Sequence, residues 1–372
     1  MNDKNNWYTV ENEENSDSPA LLFYLDRITH NVKLAISLVG DVTRFRPHVK
    51  THKTKEIVLE LMANGVTKFK CATIAEAEML AQCKAPDVLL AYPLTLPKLR
   101  RFIALQNHYP DTLFSCLFDH KETADLLSKL ALEENNVVRA YLDLNVGMNR
   151  TGITADDKAI ALFEYANQLP KLEIRGLHAY DGHITQKGAQ ERKKQCDLAF
   201  EAVMKMRKEL QVKGYANLLL IAGGSPTFLC HLDRENTECS SGTFVFWDKS
   251  YADNVPEQPF ECAALILTRI VSLPAENKLT IDLGHKAIAS EGALKDRAFF
   301  LNAPELIPIS HSEEHMVVEA PTGHSYKIGD ALYVLPFHVC PTVALYREAN
   351  CIVNGKFVDT WKIVARDRTI NF

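Results

Sequence analysis

The chain has 372 residues, of which 47% are apolar and 24% charged, with a formal net charge of -5. This composition is typical of a globular protein with an ample core, and the negative charge gives a nucleic-acid partner no general electrostatic support. The nine cysteines form no Cys-x-x-Cys pair, and residues 1–18 are polar without an apolar signal-peptide core, so we expect reduced thiols and a cytoplasmic protein. No run of about 18 apolar residues is present, so no membrane span is expected.

Strand and helix patterns alternate along the first two thirds of the chain. A strand at 18–25 leads into a helix at 26–39 with helical spacing of its apolar residues. The strands that follow are predicted at 43–49, 68–72, 87–92, 112–118, 137–145, 172–180, 218–222 and 238–246. The helices between them are predicted at 53–64, 74–83, 96–108, 121–133, 156–168, 189–210 and 227–232. Eight strands separated by helices predict a (β/α)8 TIM barrel, with an open doubly wound sheet as the alternative.

The pattern changes after residue 251. Short strands separated by Gly, Pro and Asn turns indicate an antiparallel β domain, and they are predicted at 263–273, 278–283, 315–319, 331–336, 342–346 and 356–364. The polar, Pro-rich stretch 253–259 marks the domain boundary. We therefore predict a barrel over residues 19–252 and a C-terminal β domain over residues 253–372, which part of the leader 1–18 can join.

A basic cluster lies where the strand predicted at 43–49 meets the next helix. Residues 46–53 read Arg-Pro-His-Val-Lys-Thr-His-Lys. In a β/α barrel, catalytic residues lie at the carboxyl ends of the strands. We interpret Lys50 as a Schiff-base lysine, because cationic neighbours such as Arg46, His48 and Lys53 favour the neutral, nucleophilic amine. A basic surface turn is the simpler explanation of this segment taken alone.

Two segments near the end of the barrel are candidates for binding phosphate. The loop 222–227, Ala-Gly-Gly-Ser-Pro-Thr, follows the seventh strand, and 240–243, Ser-Ser-Gly-Thr, lies in the eighth. Barrels bind phosphate at these two positions through backbone N–H groups and a helix N-terminus. A tight turn and a strand kink are the structural alternative.

Two more segments end barrel strands. Residues 145–152 carry Arg150 between two glycines, where its guanidinium can bind a phenolate or a carboxylate. His178 and Tyr180 lie two residues apart on the sixth strand, so both face the same side, the barrel interior or its rim. A solvated arginine and hydrogen-bonded structural residues are the alternatives.

The β domain contains a candidate metal-binding pair. Residues 336–342 read Pro-Phe-His-Val-Cys-Pro-Thr. On an extended segment His338 and Cys340 point the same way, and imidazole plus thiolate is a zinc-type pair that leaves positions open for water or substrate. A packed histidine beside a small buried cysteine is the alternative.

These segments, in this order, resemble the D-threonine aldolases and eukaryotic-type D-serine dehydratases, within the alanine racemase-like (fold type III) pyridoxal phosphate enzymes. The resemblance covers the chain from about residue 18 to its end. It implies an alanine racemase N-terminal-like barrel with pyridoxal phosphate on Lys50, Arg150 near the phenolic oxygen and Tyr180 near the pyridine ring. The phosphate would be bound by Gly224, Ser225, Gly242 and Thr243. His338 and Cys340 would hold a divalent metal, Zn or Mn, and members are typically homodimers.

The resemblance also implies a lyase acting on small D-β-hydroxy amino acids. We expect a D-threonine aldolase, which yields glycine and acetaldehyde, with His183 as a candidate base. The alternative is a D-serine dehydratase, which yields pyruvate and ammonia after Lys50 removes the Cα proton. A racemase is less well supported because of the metal pair, and a non-catalytic pyridoxal phosphate-binding protein because of the β domain.

Overall fold

The computed structural model describes residues 6–372, so the first five residues of the predicted leader lie outside it. The helices are α1 (Leu25–Val39), α2 (Lys55–Ala63), α3 (Ile74–Gln82), α4 (Leu96–His108), α5 (Lys121–Glu133), α6 (Asp157–Ala166), α7 (Ala189–Val212), α8 (Lys249–Asn254) and α9 (Val339–Val343). The strands up to residue 239 are β1 (Ala20–Tyr24), β2 (Lys68–Cys71), β3 (Asp87–Pro93), β4 (Leu113–Phe118), β5 (Val138–Asn145), β6 (Ile153–Thr154), β7 (Leu172–Ala179), β8 (Leu219–Ala222) and β9 (Thr237–Cys239). The later strands are β10 (Ala264–Ala275), β11 (Lys278–Ile281), β12 (Ala298–Phe300), β13 (Ile307–His311), β14 (Met316–Glu319), β15 (Ala331–Pro336), β16 (Glu348–Val353) and β17 (Lys356–Lys362).

The chain divides into two compact units. The barrel unit contains Ala35–Lys50, Lys55–Gly242 and Asp367–Phe372. The β unit contains the described residues up to Leu34 together with Thr51–Thr54 and Thr243–Arg366. The chain enters each unit more than once, and the domain ranges 19–252 and 253–372 stay a prediction.

The barrel unit is a parallel sheet that closes on itself. Its strands run in the order β2-β3-β4-β5-β7-β8-β9, and the short β6 pairs with β5. Phe45 bridges Cys239 of β9 at one edge, and His48 bridges Lys70 of β2 at the other. Residues 45–48 therefore occupy the eighth position, and the predicted (β/α)8 barrel is confirmed.

The segment that closes the barrel is less regular than the strand predicted at 43–49. The first residues of the predicted strand belong instead to a 3-10 turn, Val42–Arg44. This turn is favoured because the Asp41 side chain accepts a hydrogen bond from the Thr43 amide at 2.9 Å. Pro47 has no N–H to donate to a ladder, so pairing is limited to isolated bridges. Elsewhere the helices α4 and α5 have the predicted bounds.

The β unit contains a mostly antiparallel sheet. Its main path is β13-β14-β11-β10-β1-β16-β17, and β15 pairs with both β10 and β12. The first strand of the chain, β1, pairs antiparallel with β10 and parallel with β16. Buried apolar side chains of this sheet form its core, and one cluster includes Leu22, Leu265 and Leu267. The predicted antiparallel β fold is confirmed, with β12, β13 and β16 as strands that the sequence pattern did not reveal.

The strand predicted at 342–346 is wrong, because the helix α9 takes its place. The hydroxyl of Thr342 donates to the carbonyl of His338 at 2.8 Å, which favours a helical turn. Pro341 lies in the first turn, where its missing N–H has no helical partner to lose. The strand predicted at 238–246 is also shorter than expected. Beyond β9 the amide of Phe246 donates to the carbonyl of Thr243 at 3.1 Å and forms a 3-10 turn.

Candidate active site

Tyr180, just beyond β7, is the centre of a cationic cluster in the barrel unit. The amine of Lys50 lies 5.6 Å from the centroid of its ring, and the guanidinium carbon of Arg150 lies 4.9 Å from it. A third cation, the amine of Lys70 on β2, lies 5.9 Å from the same centroid. The structure therefore brings together three predicted site residues and one lysine that sequence reasoning missed.

Lys70 is a buried lysine with an altered acidity. Its side chain is only 3% exposed, and burial, followed by repulsion from Lys50, lowers its pKa to about 7. Lys70 lies in the short strand β2, between the buried residues Phe69 and Cys71. A lysine flanked by apolar residues inside a predicted strand was the sequence signal that could have revealed it.

His178 and Asp143 form a buried pair next to Lys70. The Nδ1 atom of His178 lies 2.7 Å from Oδ1 of Asp143, and its Nε2 atom lies 3.5 Å from the amine of Lys70. Burial, more than any other influence, lowers the pKa of His178 and favours the neutral imidazole. Because the carboxylate accepts a hydrogen bond from Nδ1–H, the proton of the neutral imidazole stays on Nδ1 and the Nε2 lone pair faces Lys70.

The other basic residues around Lys50 differ from the expectation. Arg46 is fully buried, and its guanidinium pairs with Glu238 at 2.5 Å and with Asp87 at 2.7 Å. Its charge is therefore compensated by two carboxylates, and an influence of Arg46 on Lys50 stays a prediction. His48 accepts the backbone N–H of Lys50 at Nδ1 over 3.2 Å.

The glycine loop after β8 is held against the segment after β9. The hydroxyl of Ser225 accepts a hydrogen bond from the hydroxyl of Ser241 at 3.1 Å and one from the amide of Gly242 at 3.4 Å. A Cβ on Gly224 would lie 2.9 Å from the Tyr180 ring, so only glycine lets this backbone come so close to the ring. The loop 222–227 and residues 241–242 of the second predicted phosphate segment are therefore neighbours in the barrel unit.

A buried network under this loop was not anticipated. Asp181 accepts hydrogen bonds from Thr227 at 2.7 Å and from Nε2 of His231 at 2.8 Å, and Sγ of Cys196 lies 3.7 Å from its carboxylate. These side chains could offer ligand atoms to a metal. Arg234, however, donates to Nδ1 of His231 at 3.2 Å, so hydrogen bonds already satisfy the imidazole. Thr227 also accepts the amide of Gly224 at 3.2 Å, and the network therefore supports the glycine loop.

His183 lies beside the loop that carries Arg150. The Nε2 atom of His183 is 2.8 Å from the position a Cβ would take on Gly147, whose φ is +113°. The imidazole is exposed and packs against this glycine. His183 and Arg150 are thus carried by loops that contact each other.

His338 and Cys340 are close together in the β unit, although not on an extended segment as expected. His338 is the N-cap residue of α9, and Cys340 lies within that helix. Burial opposes protonation of His338, but hydrogen bonds with Cys340 and Glu291 raise its pKa to about 9. The Nδ1 atom of His338 lies 2.6 Å from the carboxylate of Glu291.

Hydroxyl groups surround the thiol of this pair. The side-chain oxygens of Thr51 and Thr243 lie 3.2 Å and 3.7 Å from Sγ of Cys340. Thr243, predicted to bind phosphate, thus belongs to the β unit and lies beside the thiol. Imidazole, thiolate and carboxylate together are a donor set that suits a divalent transition metal.

Comparison with protein families identifies the barrel. Residues 24–249, more than half of the chain, match the model of the alanine racemase N-terminal domain. The chain belongs to the alanine racemase-like family of pyridoxal phosphate enzymes. Residues 263–352 match a serine dehydratase domain model. The resemblance inferred from the sequence is therefore confirmed.

Full-length relatives of this family member carry lyase names. It is 26% identical over 359 residues to the D-threonine aldolase of Arthrobacter sp, with 94% of this chain and 93% of that protein covered. It is 23% identical over 401 residues to the D-serine dehydratase of Dictyostelium discoideum, with coverages of 94% and 98%.

Solved structures support the fold. The D-threonine aldolase of Filomicrobium marinum has a TM-score of 0.87 and 23% identity, with 95% of this chain and 96% of that chain covered. A D-threo-3-hydroxyaspartate dehydratase in which a cysteine is replaced by alanine is described as being in the metal-free form. It has a TM-score of 0.81 and 18% identity, with coverages of 94% and 98%.

The barrel unit fits pyridoxal phosphate by its own chemistry. Lys50 offers an amine, Tyr180 an aromatic ring at 5.6 Å from it, and Arg150 a guanidinium at the same ring. The absent Cβ of Gly224 leaves the backbone next to this ring accessible. A planar, anionic aldehyde has complementary partners here.

No helix in the described residues 6–372 is long and apolar enough to cross a membrane.

Proposed function

We propose that this protein is a pyridoxal phosphate- and divalent-metal-dependent lyase that acts on small D-β-hydroxy amino acids. D-threonine aldolase activity is the first candidate. The observation that carries the proposal is the Lys50 amine beside Tyr180, on the same barrel as the glycine loop. Full-length similarity to an aldolase supports the reaction type. A homodimer in the cytoplasm, as the family resemblance and the reduced cysteines lead us to expect, is part of the same proposal.

The barrel residues would hold the cofactor. Lys50 binds its aldehyde carbon, Arg150 pairs with its phenolic oxygen and Tyr180 packs on its ring. The phosphate would be bound by Gly224, Ser225 and Gly242 of the barrel unit and, as the family resemblance leads us to expect, by Thr243. When bound, the cofactor withdraws electrons from the substrate Cα, which favours cleavage of a bond at that carbon.

The metal would be held in the β unit. His338 and Cys340 are the ligands, and Glu291, at 2.6 Å from Nδ1 of His338, fixes the imidazole. A bound divalent ion, Zn or Mn, supplies Lewis acidity to a substrate hydroxyl. Because the raised pKa of His338, about 9, means that the ring carries a proton, metal binding would release that proton.

His183 would accept the proton of the β-hydroxyl in the aldolase reaction. Its exposed imidazole packs against the loop of Arg150, which supports a position near the substrate. Loss of that proton breaks the Cα–Cβ bond and yields glycine and an aldehyde. Changing His183 to Ala should lower kcat more than KM, because the proton transfer belongs to the transition state.

D-serine dehydratase activity is the second candidate. The observations that favour it are the match of residues 263–352 to a serine dehydratase domain model and the full-length similarity to a D-serine dehydratase. In this reaction Lys50 removes the Cα proton and the hydroxyl leaves. The products are a keto acid and ammonia.

One substrate distinguishes the two reactions. D-threonine should give glycine and acetaldehyde by aldol cleavage, or 2-oxobutanoate and ammonia by elimination. Formation of either pair supports a lyase and identifies its type. Formation of neither from any D-β-hydroxy amino acid would contradict both proposals and favour a pyridoxal phosphate-binding protein without activity.

Cofactor attachment is tested independently of activity. Lys50→Ala should abolish the visible absorbance of the bound cofactor, because no amine remains at this position. Lys98→Ala is a matched control, since Lys98 also lies over a tyrosine ring, 4.3 Å from the centroid of Tyr92. Unchanged absorbance in Lys50→Ala would remove the central assignment.

The metal site is tested by elemental analysis. We expect roughly one divalent ion per chain, lost in the His338→Ala, Cys340→Ala double variant. His315→Ala, in which an exposed histidine of the same unit is removed, is the control. Equal metal content in all three proteins would contradict the assignment.

A further inference from the structure

A chain of three buried polar side chains leads from the barrel wall to the Lys50 site. Asp143 on β5, His178 on β7 and Lys70 on β2 come from three different strands, and each is at most 4% exposed. None of them has a part in the reaction proposed above. Buried ionisable groups are costly, so their alignment in the barrel requires an explanation.

The hydrogen bonds give this chain a direction. The carboxylate of Asp143 binds Nδ1 of His178 at 2.7 Å, and Nε2 of His178 faces the amine of Lys70 at 3.5 Å. An aspartate that fixes the tautomer of a histidine, which in turn faces a nucleophile or base, is the arrangement of a catalytic relay. Here the last member is an amine rather than a hydroxyl.

The amines of Lys70 and Lys50 face the same tyrosine ring, and the charge of Lys50 acts on Lys70. The two nitrogens lie 5.9 Å and 5.6 Å from the centroid of the Tyr180 ring. Burial in the first place and the charge of Lys50 in the second lower the pKa of Lys70 to about 7, so near neutral pH it can exist as a free base.

Four charged groups influence the pKa of this amine. Those that favour its protonated form are Asp143 and Asp181, and those that oppose it are Lys50 and Arg46. His178 is neutral and offers a lone pair. Burial and the two cations outweigh the two carboxylates, and together they favour the neutral amine.

We propose that Lys70 is the proton acceptor of the Lys50 site, with Asp143 and His178 as positioning residues that stabilise the ammonium formed on it. In the step, an N–H bond of the Lys50 ammonium breaks and a new N–H bond forms with the lone pair of Lys70. The net charge of the pair does not change. The neutral Lys50 amine can then attack an aldehyde carbon. The inference rests on the proposed attachment of pyridoxal phosphate to Lys50.

The test follows attachment of pyridoxal phosphate to the full-length protein from which it has been removed, by visible absorbance, as a function of pH. In the wild type, the attachment rate should rise through an inflection near the Lys70 pKa of about 7. Lys70→Met keeps the length of the side chain but has no base, and should lose this inflection and slow attachment about 100-fold at neutral pH.

Lys70→Arg separates a base from a simple positive charge. Arginine keeps the cation and the hydrogen-bond donors but is never neutral in a protein, so this variant should behave like Lys70→Met. Asp143→Asn is a second, milder variant, which removes a carboxylate that favours the ammonium. It should move the inflection to lower pH. Lys68→Met, on the same strand, is the matched control and should keep the wild-type profile.

The possible results are distinct. If wild type itself takes up no pyridoxal phosphate, the proposed function fails, whatever Lys70 does. If wild type loads normally but Lys70→Met keeps the inflection, or Lys70→Arg restores the rate, the inference is overturned. Circular dichroism of each variant establishes that it is folded, and if Lys70→Met does not fold, an unshifted inflection in Asp143→Asn refutes the relay.

Discussion

Replacing Arg46 by methionine should destabilise the barrel strongly. The guanidinium is buried and makes hydrogen bonds to two carboxylates, at 2.5 Å to Glu238 and at 2.7 Å and 3.2 Å to Asp87. Methionine fills much of the same volume but leaves both carboxylates without this partner. The change therefore tests the compensation of charge inside the barrel rather than its packing.

The expected loss can be worked out from these contacts. Two unit charges about 4 Å apart attract each other by about 4 kcal/mol at an effective dielectric of about 20, and removing one member of a buried pair costs about 3–5 kcal/mol. Glu238 would keep its second partner, Lys68, at 2.5 Å, and the 19% exposed side chain of Asp87 can regain water. We therefore expect the lower end of the range, about 3 kcal/mol in the free energy of unfolding.

Urea-induced unfolding measures this loss. Arg100→Met, at an exposed position, is the control and should change stability by no more than about 0.5 kcal/mol. Combining Arg46→Met with Glu238→Gln should cost less than the sum of the two single changes, by about 1–3 kcal/mol, because both remove the same contact. A loss below about 1 kcal/mol in Arg46→Met would refute the reasoning.

Three further predictions concern other parts of the chain. Gly224→Ala should weaken pyridoxal phosphate binding at least about tenfold in a titration, because the new Cβ would lie 2.9 Å from the Tyr180 ring. Gly188→Ala is the control: at φ +87° it strains the backbone, but its Cβ meets nothing within 4 Å, so binding should be unchanged. His52→Asn should make the free energy of unfolding less dependent on pH below 7. Burial lowers the pKa of His52 from 6.5 to about 3, so the unfolded chain binds a proton that the folded protein does not, and the wild type loses stability as the pH falls from 6.5 towards 3. Between pH 7 and about 4.5 the variant should lose about 3 kcal/mol less than the wild type in urea unfolding, and parallel pH profiles would contradict the assignment. Asp156→Ala should lower stability by about 1 kcal/mol, because this side chain caps α6 by accepting two backbone N–H groups, and an unchanged urea midpoint would argue against the cap.

Local patterns were sufficient for most of the fold. The bounds of α4 and α5 follow from apolar periodicity, and the alternation of eight strands with helices predicts the closed barrel. Errors arose where side chains hydrogen-bond to nearby backbone. The hydroxyl of Thr342 donates to the carbonyl of His338, which favours the helix α9 over a strand. The side chain of Asp41 accepts the amide of Thr43, which favours a 3-10 turn at the start of the segment that closes the barrel. Such bonds compete with strand pairing and leave no periodic signal.

The candidate site divides in the same way. The position of Lys50 at the end of a strand, the two glycine segments and the His-x-Cys pair are local features, and the sequence was enough to select them. The environment of Lys50 was not predictable. The sequence suggested that the charge of Arg46 acts on Lys50, whereas in the barrel Glu238 pairs with Arg46, and the amine of Lys70 lies at the same tyrosine ring as Lys50. A side chain's partner in a barrel is decided by which strands become neighbours.

By itself, the sequence determined the alternation of strands and helices, the family and the lysine that can carry an aldehyde. Only the tertiary structure decided which charges are compensated and which acid–base groups meet. The physical reason is that Asp143, His178 and Lys70 lie on strands far apart in the chain, and their hydrogen bonds form only when β2, β5 and β7 face one interior. Burial there, more than residue type, lowers the pKa of Lys70 to about 7.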